Sequence, residues 1–272
     1  MLHKKIHLVL SGGAARGIAH LGVMDELTER GYEIVSVAGT SMGALTGGAL
    51  AAGRHRHLRD ALMNLHVTEM IKLLDFTVRY PGLIKGEKIM KWLSPYLPGK
   101  DITRLEMPFT AMAADIRHKT EVAFTSGPLP LAVRASISIP SVFTPVEDGD
   151  RVLVDGGVLN NFPLDRVKAA DHTSVVGVWV NADVPCDEAI RRQLPQKPVP
   201  EPGPKLHMRD VVIESLHMMM RQNTARLIHD NPPDLLIRIP YRLARFYDFH
   251  KAHYIYRAGR LYAAKYLEQN GA

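Results

Sequence analysis

The sequence predicts an α/β fold, with a mainly parallel central sheet flanked by helices. Two observations indicate this class: short apolar runs alternate with helical patterns over residues 5–53, and further strand-like runs recur as far as residue 240. Alternating strands and helices favour parallel pairing, because each helix returns the chain to the edge of the sheet where the previous strand began. At 272 residues, 46% of them hydrophobic, the chain can bury a sizeable core.

The predicted elements open with a strand, a helix, a second strand and a second helix. These are KIHLVL (5–10), AHLGVMDELTERG (19–31), EIVSVAG (33–39) and MGALTGGALAAG (42–53). Later strands are predicted at FTAMAAD (109–115), EVAFTSG (121–127), RVLVDGG (151–157), SVVGVWVN (174–181) and DLLIRIP (234–240). Long helices are predicted over about 208–229 and 250–269.

We expect these elements to form one domain in three parts. Residues 1–183 form its core, 184–207 an exposed proline-rich loop, and 208–272 a helical C-terminal part. Five prolines between positions 195 and 204 forbid a helix or a central strand there. A surface insertion without a role is the simplest interpretation of this loop.

The balance of basic and acidic residues indicates which classes of binding partner the protein favours. The chain carries 34 basic and 28 acidic residues, a formal net charge of +6, which favours anionic partners. No basic run is interleaved with aromatic residues, and aromatic content is only 7%, so we expect no nucleic-acid partner. An anionic membrane surface fits the same charge. The single cysteine, Cys186, allows no internal disulfide, and no paired Cys/His spacing indicates a zinc site.

The longest uncharged stretch, residues 34–53, is long enough to span a bilayer. Five glycines between positions 37 and 53, together with Thr40, Ser41 and Thr46, make it too polar for hydrocarbon, so we expect a packed segment instead. Near the N-terminus, two lysines precede an apolar strand that is too short for the core of a secretory signal. We therefore expect a cytoplasmic protein.

GTSMG, residues 39–43, is the turn between the second predicted strand and the helix that follows it. Gly39 and Gly43 allow a tight strand-to-helix crossing, so the turn projects Ser41 above the sheet, while Met42 opens the helix. Amides at the helix N-terminus would then lie beside Ser41 Oγ and stabilise developing negative charge. This context predicts a nucleophile elbow.

SGGAARG, residues 11–17, also joins a strand to a helix. Two glycines and a small residue let consecutive backbone N–H groups point at one place, which makes an anion-binding nest. A nucleotide phosphate, a dinucleotide pyrophosphate or a transition-state oxyanion could bind there. Ile18-Ala19 follows Gly17 in place of the Lys-Ser/Thr of a Walker loop, and Ala14 replaces the third glycine of a dinucleotide fingerprint. Both nucleotide interpretations therefore weaken, and a simple packing turn stays open.

A serine nucleophile needs a base, and none of the 13 histidines has a motif around it. Asp155 is the better candidate. It ends a predicted strand, and Gly156-Gly157 force an abrupt exit that leaves its carboxylate at the carboxyl edge of the parallel sheet, where Ser41 also lies. An aspartate at a turn is also a common cap, so a structural role stays open.

Four motifs taken together resemble the patatin-like phospholipase family, in particular its bacterial branch. They are, in order, SGGAARGIAHLGV, GTSMG, RASISIPSVFTPV and DGGVLNNFP. NPPDLLIRIP and DFHKAHYIYRAGR are similar to the C-terminal part of that branch, so the resemblance covers nearly the whole chain. Each motif alone is weak, but the combination is highly specific.

The resemblance implies a patatin-type three-layer fold, with residues 1–183 as its catalytic core, and a serine hydrolase with a Ser–Asp dyad and no metal or cofactor. Ser41 matches the nucleophile and Asp155 the base. The loop that forms the oxyanion hole matches Gly12, Gly13, Ala14 and Arg16, and the supporting motif positions are Gly17, Gly39, Met42, Gly43, Gly156 and Gly157. Ala14 departs from the usual third glycine, and its Cβ would lie near the hole.

The implied substrates are phospholipids or lysophospholipids, which the positive charge supports weakly. Three consecutive methionines in the predicted helix RDVVIESLHMMMRQ could line an acyl channel or a lid, although a packed core helix is the more common explanation. The alternative function is that of a weakly active or inactive lipid-binding or regulatory protein of the same fold, with Ala14 as the damaged part.

Overall fold

The computed structural model describes residues 2–77, 84–200 and 208–271. Within them the predicted α/β architecture is confirmed as one mixed, mostly parallel sheet. Its strands are β1 (Lys5–Leu10), β2 (Glu33–Thr40), β3 (Phe109–Asp115), β4 (Thr120–Phe124), β5 (Val146–Asp148), β6 (Arg151–Asp155), β7 (Thr173–Ala182) and β8 (Leu235–Pro240).

Pairing through the sheet runs in the order β5–β6–β3–β2–β1–β7–β8, and β4 also pairs with β3. The central pairs β3–β2, β2–β1, β1–β7 and β7–β8 are parallel. The strands β4 and β6 run antiparallel to β3, and β5 runs antiparallel to β6. The sheet is therefore parallel at its centre and antiparallel at one side.

Helices accompany the sheet in the described part of the chain. They are α1 (Ala19–Glu29), α2 (Met42–Ala51), α3 (His55–Met63), α4 (Val67–Lys72), α5 (Glu87–Leu93), α6 (Leu129–Ser136), α7 (Glu188–Gln193), α8 (Met208–Asp230) and α9 (Ala252–Gln269). The uncharged stretch 34–53 is thus a strand followed by a buried helix, as expected. Across the described ranges, no helix has both the length and the apolar character that crossing a bilayer demands.

Alternation along β1 shows how the layers are arranged. Ile6, Leu8 and Leu10 point to one face and join the large core formed with α1, α2, α6 and α9. Val9 points to the other face and joins a smaller cluster that contains Phe162. Helix α8 packs against this cluster. Helices and loops therefore cover both faces, in three layers.

Two segments differ from the sequence prediction. The range 184–207 was predicted as a loop, but α7 lies within it, because Asp187 caps its first turn by accepting a hydrogen bond from the Ile190 N–H at 2.9 Å. Residues 194–200 are mostly exposed, and 201–207 lie outside the described residues. Strand β5 was not predicted, since three residues carry no readable alternation.

Candidate active site

Ser41 lies in the turn between β2 and α2, in a backbone conformation that side chains rarely adopt. Its φ is 56° and its ψ is −123°, in the half of backbone space that favours glycine. The Ser41 N–H donates a 2.8 Å hydrogen bond to the hydroxyl of Ser136, at the end of α6. Only 5% of Ser41 is exposed. The turn is therefore sharp, buried and held by a side chain from another helix.

Glycine makes the close crossing of β2 and α2 possible. A Cβ added to Gly39 would lie 2.4 Å from the carbonyl oxygen of Gly43. A Cβ added to Gly43 would lie 2.4 Å from the carbonyl oxygen of Leu10 in β1. A side chain at Gly39 would force β2 and α2 apart, and one at Gly43 would force α2 away from β1, so either would move the serine.

Asp155 ends β6 and is as buried as Ser41, with 5% of its surface exposed. Its Oδ1 accepts a 2.7 Å hydrogen bond from the Gly157 N–H, whereas Oδ2 has no partner of hydrogen-bond geometry among the described residues. Burial raises the pKa of Asp155 to about 6, and interaction with the Ser41 hydroxyl and the Gly157 N–H opposes that rise. The carboxyl group is thus close to Ser41, with one oxygen uncommitted.

The strand β3 explains why these residues meet. Thr40, the last residue of β2, pairs with Met112, and Asp155 pairs with the next residue, Ala113. Because β4 pairs with β3 along all of 111–115, β2 and β6 must share the opposite edge of β3, one after the other. Ser41 and Asp155 therefore lie where the ends of two strands meet.

This arrangement corrects the geometric argument from the sequence. We expected Ser41 and Asp155 to share the carboxyl edge of parallel strands, but β6 runs antiparallel to β3. The carboxyl end of β6 reaches the serine because β3 extends beyond β2 and offers β6 the rest of its edge. The sequence predicts correctly that Ser41 and Asp155 lie close together. A shared carboxyl edge of parallel strands is the wrong reason for it.

The glycine-rich loop, residues 12–17, adjoins the serine: a Cβ on Gly12 would lie 3.2 Å from Ser41 Cβ. The N–H of Gly12 donates to the carbonyl oxygen of Asn161 at 3.0 Å, and the N–H of Arg16 donates to that of Gly13 at 3.1 Å. Within the described residues, the N–H groups of Gly13 and Ala14 have no acceptor. Of the four predicted oxyanion-hole residues, two therefore have a free amide.

Arg16 does not extend into this site. Its side chain is buried, with Nε donating to Asn181 Oδ1 at 2.6 Å and a terminal nitrogen donating to the Ala244 carbonyl at 2.9 Å. The guanidinium stacks on the Tyr241 ring, and burial lowers its pKa to about 10. The Asn181 amide in turn donates to the Gly12 carbonyl at 3.0 Å. The Arg16 side chain thus supports the glycine-rich loop from behind. It does not line the proposed oxyanion hole, contrary to the sequence prediction.

Sequence reasoning missed three polar residues beside the site. Ser136 holds the Ser41 amide, and Asn181 joins Arg16 to Gly12. The buried Oδ1 of Asn161 has no partner among the described residues and lies 2.4 Å from where a Cβ on Gly12 would stand. Asn161 belongs to the DGGVLNNFP motif, and Ser136 to RASISIPSVFTPV, but no spacing rule distinguishes them from their neighbours.

Among the described histidines, none has a side chain hydrogen-bonded to Ser41 or Asp155. His20 is fully buried, its Nε2 lies 2.8 Å from the Ser11 carbonyl oxygen, and burial lowers its pKa to about 4. Nor do three His, Cys, Asp or Glu side chains of the described residues come together as metal ligands.

A family model for patatin-like phospholipase matches residues 8–168, more than half of the chain, including the glycine-rich loop, Ser41 and Asp155. The chain belongs to the patatin-like phospholipase family. The family resemblance and the patatin fold that the sequence predicts are thereby confirmed. Membership of the family supports lipid hydrolysis as the general activity.

Individual relatives of this patatin-like protein differ in length. An uncharacterized NTE family protein of Mycobacterium bovis is 29% identical over 329 aligned positions, covering 97% of this chain and 91% of that protein. Patatin-like phospholipase domain-containing protein 7 of Rattus norvegicus is 32% identical over 184 positions, covering 65% of this chain and 14% of that protein. The solved structure of VipD from Legionella pneumophila aligns with a TM-score of 0.49 and 14% identity, covering 99% of this chain and 67% of that one.

Proposed function

We propose that this patatin-like protein is a serine acyl-ester hydrolase of the phospholipase A or lysophospholipase type. The observation that carries the proposal is the meeting of Ser41 and Asp155 on one edge of β3, both buried, with one carboxylate oxygen free. A buried carboxyl with a pKa of about 6 is a stronger base than an ordinary aspartate, and it is still mostly ionised at neutral pH.

The mechanism has two half-reactions. Asp155 takes the proton from the Ser41 hydroxyl, and Oγ attacks the ester carbonyl carbon. The oxyanion accepts hydrogen bonds from the N–H groups of Gly13 and Ala14. Collapse breaks the ester bond, and Asp155 gives its proton to the departing alcohol. Water then attacks the acyl-serine, with Asp155 again taking a proton, and the acid is released as Ser41 regains its hydroxyl.

The substrate class in this proposal is the phospholipid or lysophospholipid. Both reacting residues are almost entirely covered, so the ester must enter a site shielded from water, which suits an acyl chain. Peripheral contact with an anionic membrane surface from the cytoplasm completes the proposal, supported by the net charge of +6.

Labelling with a fluorophosphonate probe tests the nucleophile, because the probe reacts only with an activated serine. We expect the unmodified protein and Ser138→Ala to be labelled and to hydrolyse short acyl esters, and Ser41→Ala to do neither while staying folded. Assays on a panel of phospholipids and lysophospholipids then identify the substrate. A folded protein that binds lipid but is not labelled would favour the alternative, a lipid-binding protein, for which the strained Ala14 is the supporting observation.

A further inference from the structure

The outward face of α8 carries large exposed apolar side chains beside the exposed polar residues Ser215 and Gln222. Met218 and Met219 are 60% and 69% exposed, and Val211 on the same face is also exposed. Two polar side chains of the same helix face the fold: Glu214 Oε1 and His217 Nδ1 lie 3.1 Å and 2.7 Å from the Tyr241 hydroxyl. Large apolar side chains of a surface helix usually turn toward the core, so packing within the fold does not explain these exposed methionines.

This helix contacts the turn that follows Asp155. The Met220 methyl group lies 3.1 Å from where a Cβ on Gly157 would stand, two residues after Asp155. The Asn223 side-chain amide donates to the Leu159 carbonyl oxygen, in the same turn. The exposed methionines therefore precede, by one or two residues, the point where α8 touches the site.

A second exposed segment adjoins the glycine-rich loop. The Ala15 N–H donates to the Phe246 carbonyl oxygen at 3.1 Å, and the neighbours of Phe246 on both sides, Arg245 and Tyr247, are exposed. The Arg245 guanidinium lies 3.5 Å from the Tyr247 hydroxyl. Tyrosine and arginine side by side suit a boundary between hydrocarbon and head groups, since the ring is amphipathic and the guanidinium binds phosphate.

Charge and size indicate what covers these two segments. The net charge of +6 favours an anionic surface. A stable interface with a second copy needs about 800 Å² from each partner, and a few side chains in two separate pieces supply only a fraction of that. Hydrocarbon needs no matching shape, and flexible methionines insert into it readily.

We propose that the outer face of α8, with Met218 and Met219, and the Arg245–Tyr247 turn together dock the protein on an anionic lipid surface, at the entrance to the Ser41 site. The choice of lipid as the occupant rests on the proposed function. Docking there presents α8 to the membrane, so a lipid leaving the bilayer reaches the serine without crossing water.

Vesicle sedimentation tests this surface, with Ser41→Ala as the parent protein so that no lipid is consumed. Vesicles of phosphatidylcholine are used with and without about 30% phosphatidylserine. We expect stronger partition onto the anionic vesicles. Adding Met218→Ser and Met219→Ser should lower partition by about tenfold or more, because two apolar side chains no longer enter hydrocarbon. Adding Arg245→Gln should reduce the preference for phosphatidylserine.

The matched control is Val67→Ser with Ile71→Ser, two side chains of α4 that are 51% and 61% exposed. It should partition like the parent. Equal loss in both double variants, no partition of the parent, or a dimer in sedimentation velocity that only the methionine changes abolish would overturn the proposal. If the unmodified protein hydrolyses no ester but methionine-dependent partition remains, the proposed activity fails while the docking surface stands.

Discussion

At the scale of single residues, two of the five described non-glycine residues with positive φ lie at the candidate site. Ser41 and Ala14 both have positive φ, 56° and 45°, although neither is a glycine. Such conformations are unfavourable by about 1–3 kcal/mol each and persist only where neighbours enforce them. Ser41 carries the hydroxyl and Ala14 a free amide, so the strain coincides with the two groups whose placement matters most for the proposed acyl transfer.

The pH dependence of activity follows from Asp155. It must be ionised to accept the proton, and its pKa is raised to about 6. We expect kcat/KM for a soluble ester to be level above pH 7 and to fall about tenfold per unit below pH 6. Asp155→Asn should abolish turnover, because an amide cannot accept the proton. A profile that stays flat from pH 5 to 8 would exclude Asp155 as the base.

Ala14 offers a test of strain at the loop. Ala14→Gly should leave the melting temperature equal or a few degrees higher, since relief of about 1 kcal/mol offsets the greater freedom of the unfolded chain. Activity should be retained or raised, because a Cβ beside the free amides is removed. The control, Ala15→Gly, lies outside the positive-φ region and should lower stability by about 1 kcal/mol. Equal losses in both variants would contradict a strained Ala14.

At the scale of elements, α6 holds the site together from one side. The Ser136 hydroxyl accepts from the Ser41 N–H, and two residues on, the Ser138 carbonyl accepts from the Asp155 N–H at 2.9 Å. The end of one helix therefore sets the backbone positions of both proposed catalytic residues. This gives the RASISIPSVFTPV motif a structural role that its sequence alone does not reveal.

Removal of the Ser136 hydroxyl tests that role. Ser136→Ala leaves the buried amide of a strained serine without an acceptor, which destabilises the fold by about 1–3 kcal/mol. Because Ser41 then loses its position, we expect kcat to fall about tenfold or more, with KM little changed. Ser138→Ala is the matched control, since its hydroxyl contacts Arg134 and only its backbone reaches Asp155. Similar kcat values for the two variants would make Ser136 merely structural.

At the scale of the whole molecule, the sequence predicts what periodicity and turn chemistry encode. Long strands and helices, the elbow at Ser41 and the turn at Asp155 were placed correctly, because each has a local signature. The direction of β6 and the loss of the Gly12 amide to Asn161 depend on strands and loops far away in sequence. Ser136 and Asn181 act through buried side-chain hydrogen bonds and Asn161 through its backbone carbonyl, and no local sequence pattern identifies such contacts.

Stability of the whole fold should fall in mild acid because of His20. Its pKa is about 4 in the folded protein against 6.5 when unperturbed, so between these values the unfolded chain binds the proton more readily. The free energy of unfolding should therefore decrease, by up to about 1.4 kcal/mol per pH unit from this group, as pH falls from 6.5 to 4. His217, with a pKa of about 4, acts in the same direction, and Asp155 opposes both.

Urea unfolding at several pH values measures this slope. His20→Gln should reduce it by about one proton, because glutamine keeps a donor for the Ser11 carbonyl but does not titrate. His20→Gln should also keep at least about a tenth of the activity, since Asp155 and not histidine is the proposed base.

The end-to-end placement of β2 and β6 on β3 has a consequence for the protein during its synthesis. Ser41 leaves the ribosome long before Asp155, and at about 5–20 residues per second the interval is on the order of ten seconds. The strand β3 is itself made only part-way through that interval, and until β6 follows, the second half of the edge it shares with β2 has no partner, so Ser41 has no proposed base beside it. Under the proposed mechanism, a nascent chain emerging near a membrane is therefore unable to hydrolyse lipid until its core strands have paired, and the order of translation itself delays the chemistry.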